Sequence, residues 1–169
     1  MTIKYRDWTP KIDGSAFVAD TARVIGNVEI GARATIWYGV VVRGDVHEIR
    51  IGADTNVQDG TVIHCSYEKY GTYIGDRVTI GHLALLHGCV VEDDAFIGMK
   101  ACVMDGVVVE KGGWVAAGAL VTPGKRVKTG ELWAGSPAKF FRNVTPAELD
   151  GAETAMRRYV GLGQEYRKA

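Results

Sequence analysis

The sequence has no excess charge of either sign and no long apolar run. Its 169 residues carry 20 basic and 20 acidic side chains, which gives a formal net charge of zero. A neutral chain presents no overall field that attracts nucleic acid or an anionic membrane surface. No apolar run approaches the ~20 residues that a membrane-spanning helix needs. We therefore expect neither a nucleic-acid nor a membrane partner.

The sequence also has few cysteines, and it does not show the pattern of a secretory signal. The first thirty residues contain neither the basic n-region nor the apolar stretch that together form such a signal. The three cysteines Cys65, Cys89 and Cys102 cannot all pair, and a cytosolic chain keeps its thiols reduced. These absences predict a cytoplasmic protein, with Cys65 and Cys89 as packing residues.

Aliphatic residues recur every six positions along most of the chain. The sequence contains only four prolines against 22 glycines, and a glycine often follows the aliphatic residue. The repeating positions are Val18, Val24, Ile30, Ile36 and Val42, then Ile51, Val57 and Ile63, then Ile74, Ile80 and Leu86, and finally Val91, Ile97, Val103, Val109, Val115, Val121 and Val127. Four positions after most of them lies a second small or β-branched residue, such as Val28, Val40 or Val46.

A period of six fits neither an α-helix, whose period is near 3.6, nor an ordinary strand, whose period is 2. It indicates hexapeptide repeats, three of which close one triangular coil of a β-helix. A β-sandwich is the alternative, but its turn signals come every 8–12 residues. We predict a mainly β fold, a left-handed parallel β-helix over residues 1–144, with residues 145–169 as a C-terminal helix packed on it. Thr145-Pro146-Ala147-Glu148 reads as a capping box, with the helix from about Pro146 to Gln164.

The repeat register places the histidines. His64 follows Ile63 and His87 follows Leu86, so both are outward-pointing residues on the same face of adjacent coils, ~4.8 Å apart. Arg43 holds the same position one coil earlier. His82 lies around the coil, at the next corner. Extra residues near His47–Arg50 and Tyr67–Thr72 interrupt the repeat and predict loops, with His47 solvated in the first.

One chain cannot easily bring His82 to the same ion as His64 and His87. Three prisms around a threefold axis would do so, because the face of one subunit then meets the corner of its neighbour. We therefore predict a homotrimer with a metal ion between subunits. Three neutral imidazoles and a water form the open tetrahedral arrangement of a catalytic zinc, whose bound water has a pKa of about 7.

The residues around these histidines resemble those of the gamma-class carbonic anhydrases. The likeness is carried by Arg43-Gly44-Asp45, Asn56-Val57-Gln58-Asp59-Gly60, Gly81-His82 and Leu86-His87-Gly88. It extends to Ala134-Gly135-Ser136-Pro137-Ala138-Lys139, which hexapeptide acyltransferases share. The resemblance implies that His64 and His87 of one subunit and His82 of the next bind Zn²⁺, or Fe²⁺ or Co²⁺ in some members.

The resemblance also implies the reversible hydration of carbon dioxide to bicarbonate and the roles of further residues. Arg43 and Asp45 would form an ion pair near the site, with Arg43 holding bicarbonate. Gln58 would orient the metal-bound hydroxide, supported by Asp59 and Asn56. Tyr159 on the terminal helix would correspond to a site tyrosine of the family. Two simpler interpretations stay open: the Arg43–Asp45 pair could tie subunits together, and Asn56 could be a corner residue with left-handed backbone.

One departure from the family concerns proton transfer. The founding members carry two glutamates that serve as proton shuttles, whereas this chain has Val46 at the first position and only Glu68 in the short second loop. Two other functions therefore remain open. An acyltransferase would bind a thioester cofactor without needing metal, and a weakly active or non-catalytic assembly subunit would bind metal without turnover.

Overall fold

Short parallel strands stack into the coils of a β-helix, as the six-residue period predicts. The computed structural model describes residues 1–168, and Ala169, the last residue of the predicted helical segment, lies outside them. The strands are β1 (Thr2–Ile3), β2 (Lys11–Ile12), β3 (Phe17–Val18), β4 (Arg23–Ile30), β5 (Thr35–Ile36), β6 (Val41–Ile51), β7 (Asn56–Val57), β8 (Val62–His64), β9 (Thr72–Ile74), β10 (Thr79–Ile80), β11 (Leu85–His87), β12 (Val90–Val91), β13 (Phe96–Ile97), β14 (Cys102–Val103), β15 (Val108–Val109), β16 (Trp114–Val115), β17 (Leu120–Val121), β18 (Arg126–Val127), β19 (Glu131–Gly135) and β20 (Ala138–Asn143).

The strands form three faces, which we call X, Y and Z. Face Y runs β3-β5-β7-β10-β13-β16-β19 and ends in β20, which pairs antiparallel with β19. Face Z runs from the first half of β4 and of β6 through β8, β11, β14 and β17. Face X runs from the second halves of β4 and β6 through β9, β12, β15 and β18. The predicted parallel β-helix is confirmed.

The core is the column of aliphatic side chains inside the coils. Ile63, Leu86 and Val103 are neighbours on successive rungs of face Z, and all three are fully buried. Each repeat therefore points one aliphatic residue inward at the same depth, and stacking the coils makes one continuous core. The six-residue series is confirmed as buried from Val24 to Val127, whereas Val18 in the first repeat is partly buried and packs against the core.

The first predicted loop is wrong. Residues 47–50 lie within β6, which turns the corner between faces Z and X without leaving the sheet. The ladder pairs Gly26 with Gly44 and then Val28 with Ile49, so the extra residues form a bulge opposite Asn27. Ile49, fully buried, takes the inward position that the repeat arithmetic assigned to Val46. Parallel pairing to β4 satisfies backbone groups that a loop would leave to solvent.

The other interruption is a loop, closed by an isolated bridge between Ser66 and Tyr70. Thr72 already begins β9. His47 is half-buried rather than solvated, and its Nδ1 accepts a hydrogen bond of 2.8 Å from the backbone N–H of Glu48.

The C-terminal helix α1 spans Pro146–Tyr166, two residues beyond the predicted end. Its capping box is confirmed: Thr145 Oγ1 accepts from the backbone N–H of Glu148, and Glu148 Oε2 accepts from that of Thr145. Arg142 donates two further hydrogen bonds to the Glu148 carboxylate, at 2.7 and 2.8 Å. Within residues 1–168 no helix is both long enough and apolar enough to cross a membrane.

Helix α1 packs on face Y, against β3, β5 and β7. Gly163 is buried there, and a Cβ at this position would collide with Cγ2 of Thr35. The glycine therefore sets how closely the C-terminal half of the helix approaches the sheet. The same packing buries the outward-facing side chains of β5 and β7, which in a bare coil would face solvent.

Candidate metal site on face Z and at the corner of face Y

Two of the three predicted metal ligands lie side by side on face Z. His64 ends β8 and His87 ends β11, and the ladder pairs them directly. Nδ1 of His64 lies 3.1 Å from Nε2 of His87. The register argument for this pair is confirmed, since two second-position residues in adjacent coils share one rung.

A carboxylate holds the far nitrogen of each of these rings. Nε2 of His64 lies 2.9 Å from Oδ1 of Asp45, and Nδ1 of His87 lies 2.5 Å from Oδ1 of Asp105. A carboxylate can only accept, so each ring uses its N–H for this bond. Asp105 was missed by sequence reasoning. The repeat register could have found it, because Met104 lies one coil after His87 and Asp105 directly follows Met104.

The third predicted ligand lies at the corner between faces Y and Z. His82 follows β10 by two residues, and its Nδ1 lies 2.9 Å from Oδ2 of Asp59 at the same corner one coil earlier. Within residues 1–168 of one chain, no three potential ligands converge on a single point. A single chain therefore pairs His64 with His87 and holds His82 separately, on its own carboxylate.

The protonation of His64 follows from its surroundings. Burial lowers the pKa of His64 below its ordinary value, the Arg43 charge lowers it further, and Asp45 opposes the shift. Burial by itself would raise the pKa of Asp45, but hydrogen bonds from His64 and Arg43 outweigh it and leave that pKa below its usual range. His64 is therefore a neutral imidazole beside a charged carboxylate, as a metal ligand must be.

The meaning of the 3.1 Å contact depends on which ring nitrogens carry a hydrogen. With both N–H groups given to carboxylates, the two facing nitrogens each present a lone pair. Lone pairs at this distance repel unless a cation lies between them. Two ligands of a tetrahedral zinc ion with bonds of 2.0–2.1 Å have nitrogens about 3.3 Å apart. The donor set and its spacing therefore fit a divalent metal, with carboxylates in the supporting role usual for histidine ligands.

The predicted ion pair is present: Arg43 donates a hydrogen bond of 2.6 Å to Oδ2 of Asp45. Asp45 thus bridges Arg43 and His64, and the arginine head is fixed beside the histidine pair. This contact lies within one subunit, and the alternative in which the pair also ties subunits together stays a prediction.

The buried amides of β7 form a second polar network under α1. Gln58 Nε2 donates a hydrogen bond of 3.0 Å to Oδ1 of Asn56, and Asn56 Nδ2 donates one of 2.9 Å to Oγ1 of Thr79. Asn56 lies in β7, fully buried, and is not among the residues with left-handed backbone. The interpretation of Asn56 as a corner residue is therefore wrong.

Tyr159 lies on the face of α1 that packs on face Y. Its ring contacts Trp37 edge-on, with centroids 5.5 Å apart, and it borders the buried core. Burial raises the pKa of Tyr159, and the Asp59 charge adds to the shift. The phenol is therefore protonated at neutral pH, and its role at the site stays a prediction.

Comparison with known proteins shows the family to which the chain belongs. Residues 88–123 match a family model described as the hexapeptide repeat of succinyl-transferase. A protein of Geobacillus kaustophilus named carbonic anhydrase is 38% identical over 99% of this chain and 91% of its own length. The chain belongs to the gamma-class carbonic anhydrase family.

Other proteins similar to this chain differ from it in length and in name. Gamma carbonic anhydrase 2, mitochondrial, of Arabidopsis thaliana is 48% identical over 94% of this chain, but the chain spans only 59% of that relative's length. A crystal structure of a hexapeptide transferase family protein from Anaplasma phagocytophilum superposes with a TM-score of 0.94 at 47% identity, over 98% of this chain and 97% of that one. These similar proteins are therefore named either as carbonic anhydrases or as transferases.

Proposed function

We propose that the protein is a trimeric carbonic anhydrase that holds Zn²⁺ between subunits and interconverts carbon dioxide and bicarbonate. The observation that carries the proposal is the arrangement of the histidines: each of His64, His82 and His87 has one ring nitrogen on a carboxylate and the other ring nitrogen available for a metal ion. A zinc ion held by three imidazoles supplies hydroxide at neutral pH, because it lowers the pKa of coordinated water to about 7.

The chain's own residues would bind and orient the reactants. Arg43, fixed by Asp45, presents a cation beside the histidine pair and suits the charge of bicarbonate. Gln58 gives its N–H to Asn56, so the remaining end of its amide is an acceptor. Tyr159 and Asp59 would line the same corner, with Asp59 holding His82.

The surface beside the histidines supports the trimer. Val62 and Leu85 are neighbours on face Z, Leu83 and Met99 lie at the corner with His82, and all four are exposed large apolar side chains. Contiguous exposed apolar residues mark interaction surfaces. A face that meets a different surface, the corner of the next subunit, makes a heterologous contact that closes into a ring. The same contact would bring His82 to the neighbouring pair.

A zinc-loaded sample in a stopped-flow carbon dioxide hydration assay tests the proposal. We expect activity that depends on bound zinc and is lost in His64→Ala. A protein that binds coenzyme A thioesters and transfers acyl groups without metal would instead be an acyltransferase, as the similarity to hexapeptide transferases allows. A trimer that binds zinc and shows no hydration at any buffer concentration would be an assembly subunit. The cytoplasmic location stays a prediction.

A further inference from the structure

Three polar residues lie in one column of face Y, beneath α1. Thr35, Asn56 and Thr79 occupy successive rungs, with Asn56 in the middle, and each is at least 96% buried. Burying an amide without hydrogen bonds is costly, on the order of 1–3 kcal/mol. Asn56 in this column therefore has to be paired, and the way in which it is paired fixes the direction of its amide.

The direction of the Asn56 amide is set by an acceptor that cannot donate. Nδ2 of Asn56 lies 3.4 Å from the carbonyl oxygen of Val78 and 2.9 Å from Oγ1 of Thr79. A backbone carbonyl only accepts hydrogen bonds, so the NH₂ end of Asn56 faces Val78 and Thr79. The carbonyl bond is long, and the hydroxyl of Thr79 supplies the short one.

The orientation passes from Asn56 to Gln58. With its NH₂ end turned toward Thr79, Asn56 presents Oδ1 to Gln58, and this oxygen accepts from Nε2 of Gln58 at 3.0 Å. Gln58 is then left with Oε1 as its other end. If the Asn56 amide were rotated, it would present its NH₂ group to Gln58. Gln58 would then have to turn Oε1 toward Asn56 and its own NH₂ group outward. In that orientation the outward end of Gln58 could not accept a hydrogen bond from a substrate or a water ligand.

We propose that Thr79 is a positioning residue for the carbonic anhydrase reaction: its hydroxyl holds Asn56, and through Asn56 it keeps the Gln58 amide with the acceptor end outward. The Thr79 hydroxyl makes its hydrogen bond to Asn56 and to none of the three histidines. The inference rests on the proposed function for its kinetic consequence, although the amide orientation itself does not depend on activity.

Thr35 supplies the matched control. It flanks Asn56 on the opposite rung, is equally buried, and its hydroxyl accepts a hydrogen bond of 3.0 Å from Nε1 of Trp37. Thr35→Val and Thr79→Val therefore each remove one buried hydroxyl and orphan one donor beside α1. Only Thr79→Val removes the short hydrogen bond that holds the Asn56 amide, and it leaves that amide with the long bond to the Val78 carbonyl alone. A general loosening of the helix contact would affect both variants alike.

The experiment compares wild type, Thr79→Val, Thr79→Ser and Thr35→Val as intact zinc-loaded trimers. We expect Thr79→Val to lower kcat for hydration about fivefold, the factor that the loss of one ordinary hydrogen bond gives. The KM for carbon dioxide and the zinc content should stay unchanged, because neither binding of substrate nor the ligands are altered. Thr79→Ser should restore the rate, and Thr35→Val should leave it near wild type.

A second measurement keeps the inference separate from the proposed function. Selective ¹⁵N labelling of asparagine and glutamine reports hydrogen exchange of the side-chain NH₂ groups of Asn56 and Gln58. We expect slow exchange in wild type and Thr79→Ser, and fast exchange in Thr79→Val. If wild type shows no hydration, the proposed function fails while this exchange pattern still decides the inference. Slow exchange in Thr79→Val, or an equal loss of kcat in Thr35→Val, would overturn it.

Discussion

Nδ1 of His64 faces Nε2 of His87 across 3.1 Å, while Asp45 and Asp105 take up the opposite nitrogens of the two rings. When each ring gives its N–H to its carboxylate, both facing atoms are acceptors, and a cation between them removes their repulsion. The backbone contributes to this arrangement. Gly88, directly after His87, has φ of +58°, and a Cβ there would collide with the Asp105 carboxylate.

The carboxylate behind His87 should be needed for metal affinity rather than for folding. Asp105→Asn removes the charge that fixes the His87 tautomer, and loss of such a supporting group typically weakens metal binding about 10–100-fold. Competition with a chromophoric zinc chelator measures the affinity. Asp150→Asn, at an exposed position of α1, is the control and should bind zinc as wild type does. Equal zinc affinity in both variants would show that Asp105 does not support the metal site.

Two glycines of α1 should respond in opposite directions to alanine. Gly163→Ala places a methyl group against Thr35 and within 3.2 Å of Phe17 Cβ, so overpacking should destabilise the fold by roughly 1–3 kcal/mol. Gly161→Ala meets nothing within 4 Å and should stabilise the helix by up to about 1 kcal/mol. Chemical unfolding measures both. A neutral Gly163→Ala would mean that the helix does not lie against β5 in solution.

The capping box makes α1 sensitive to acid. A hydrogen bond from Arg142, then those from the backbone and hydroxyl of Thr145, lower the pKa of Glu148 from 4.5 to about 2. Because the folded pKa is depressed, this stabilisation is complete above pH 4.5 and disappears as pH falls toward 2. Glu148→Gln should therefore unfold at a lower temperature than wild type at pH 7, and the two melting temperatures should converge near pH 2. If the two melting temperatures still differed at pH 2, the shape of the Glu148 side chain and not its charge would be the cause.

Much of the fold and part of the site could be predicted from the sequence, because the six-residue period specifies which side chains share a face. The rung that joins His64 to His87 follows from counting repeats. The bulge at residues 45–48 could not be found in this way. The inserted residues do not follow the six-residue period. The inward position after the insertion is therefore occupied by Ile49 and not by Val46. The Thr79–Asn56–Gln58 network depends on burial by α1, which the repeat does not encode.

Proton export should limit any hydration activity. Val46 stands where the founding members of the family have a shuttle glutamate, and it packs against the core instead of facing the site. His47 offers no ready relay, because its Nδ1 is occupied by the backbone N–H of Glu48. General acid–base groups contribute typically 10²–10⁴-fold, so a site without one should be slow. Imidazole buffer should then raise kcat in a saturable way in stopped-flow assays. A rate that is fast and independent of buffer would reveal a shuttle within the protein.

The central claim, a metal site shared between subunits, is tested most directly by mixing two inactive variants. His64→Ala and His82→Ala trimers should each contain little zinc, since each lacks one ligand in every site. Unfolding and refolding the two chains together in equal amounts should restore zinc to about one quarter of the sites, because that share joins an intact His64–His87 pair to an intact His82 of the next subunit. Zinc content after gel filtration is the measurement. Mixed trimers with no more zinc than either variant alone, or a His82→Ala trimer with full zinc, would contradict the account.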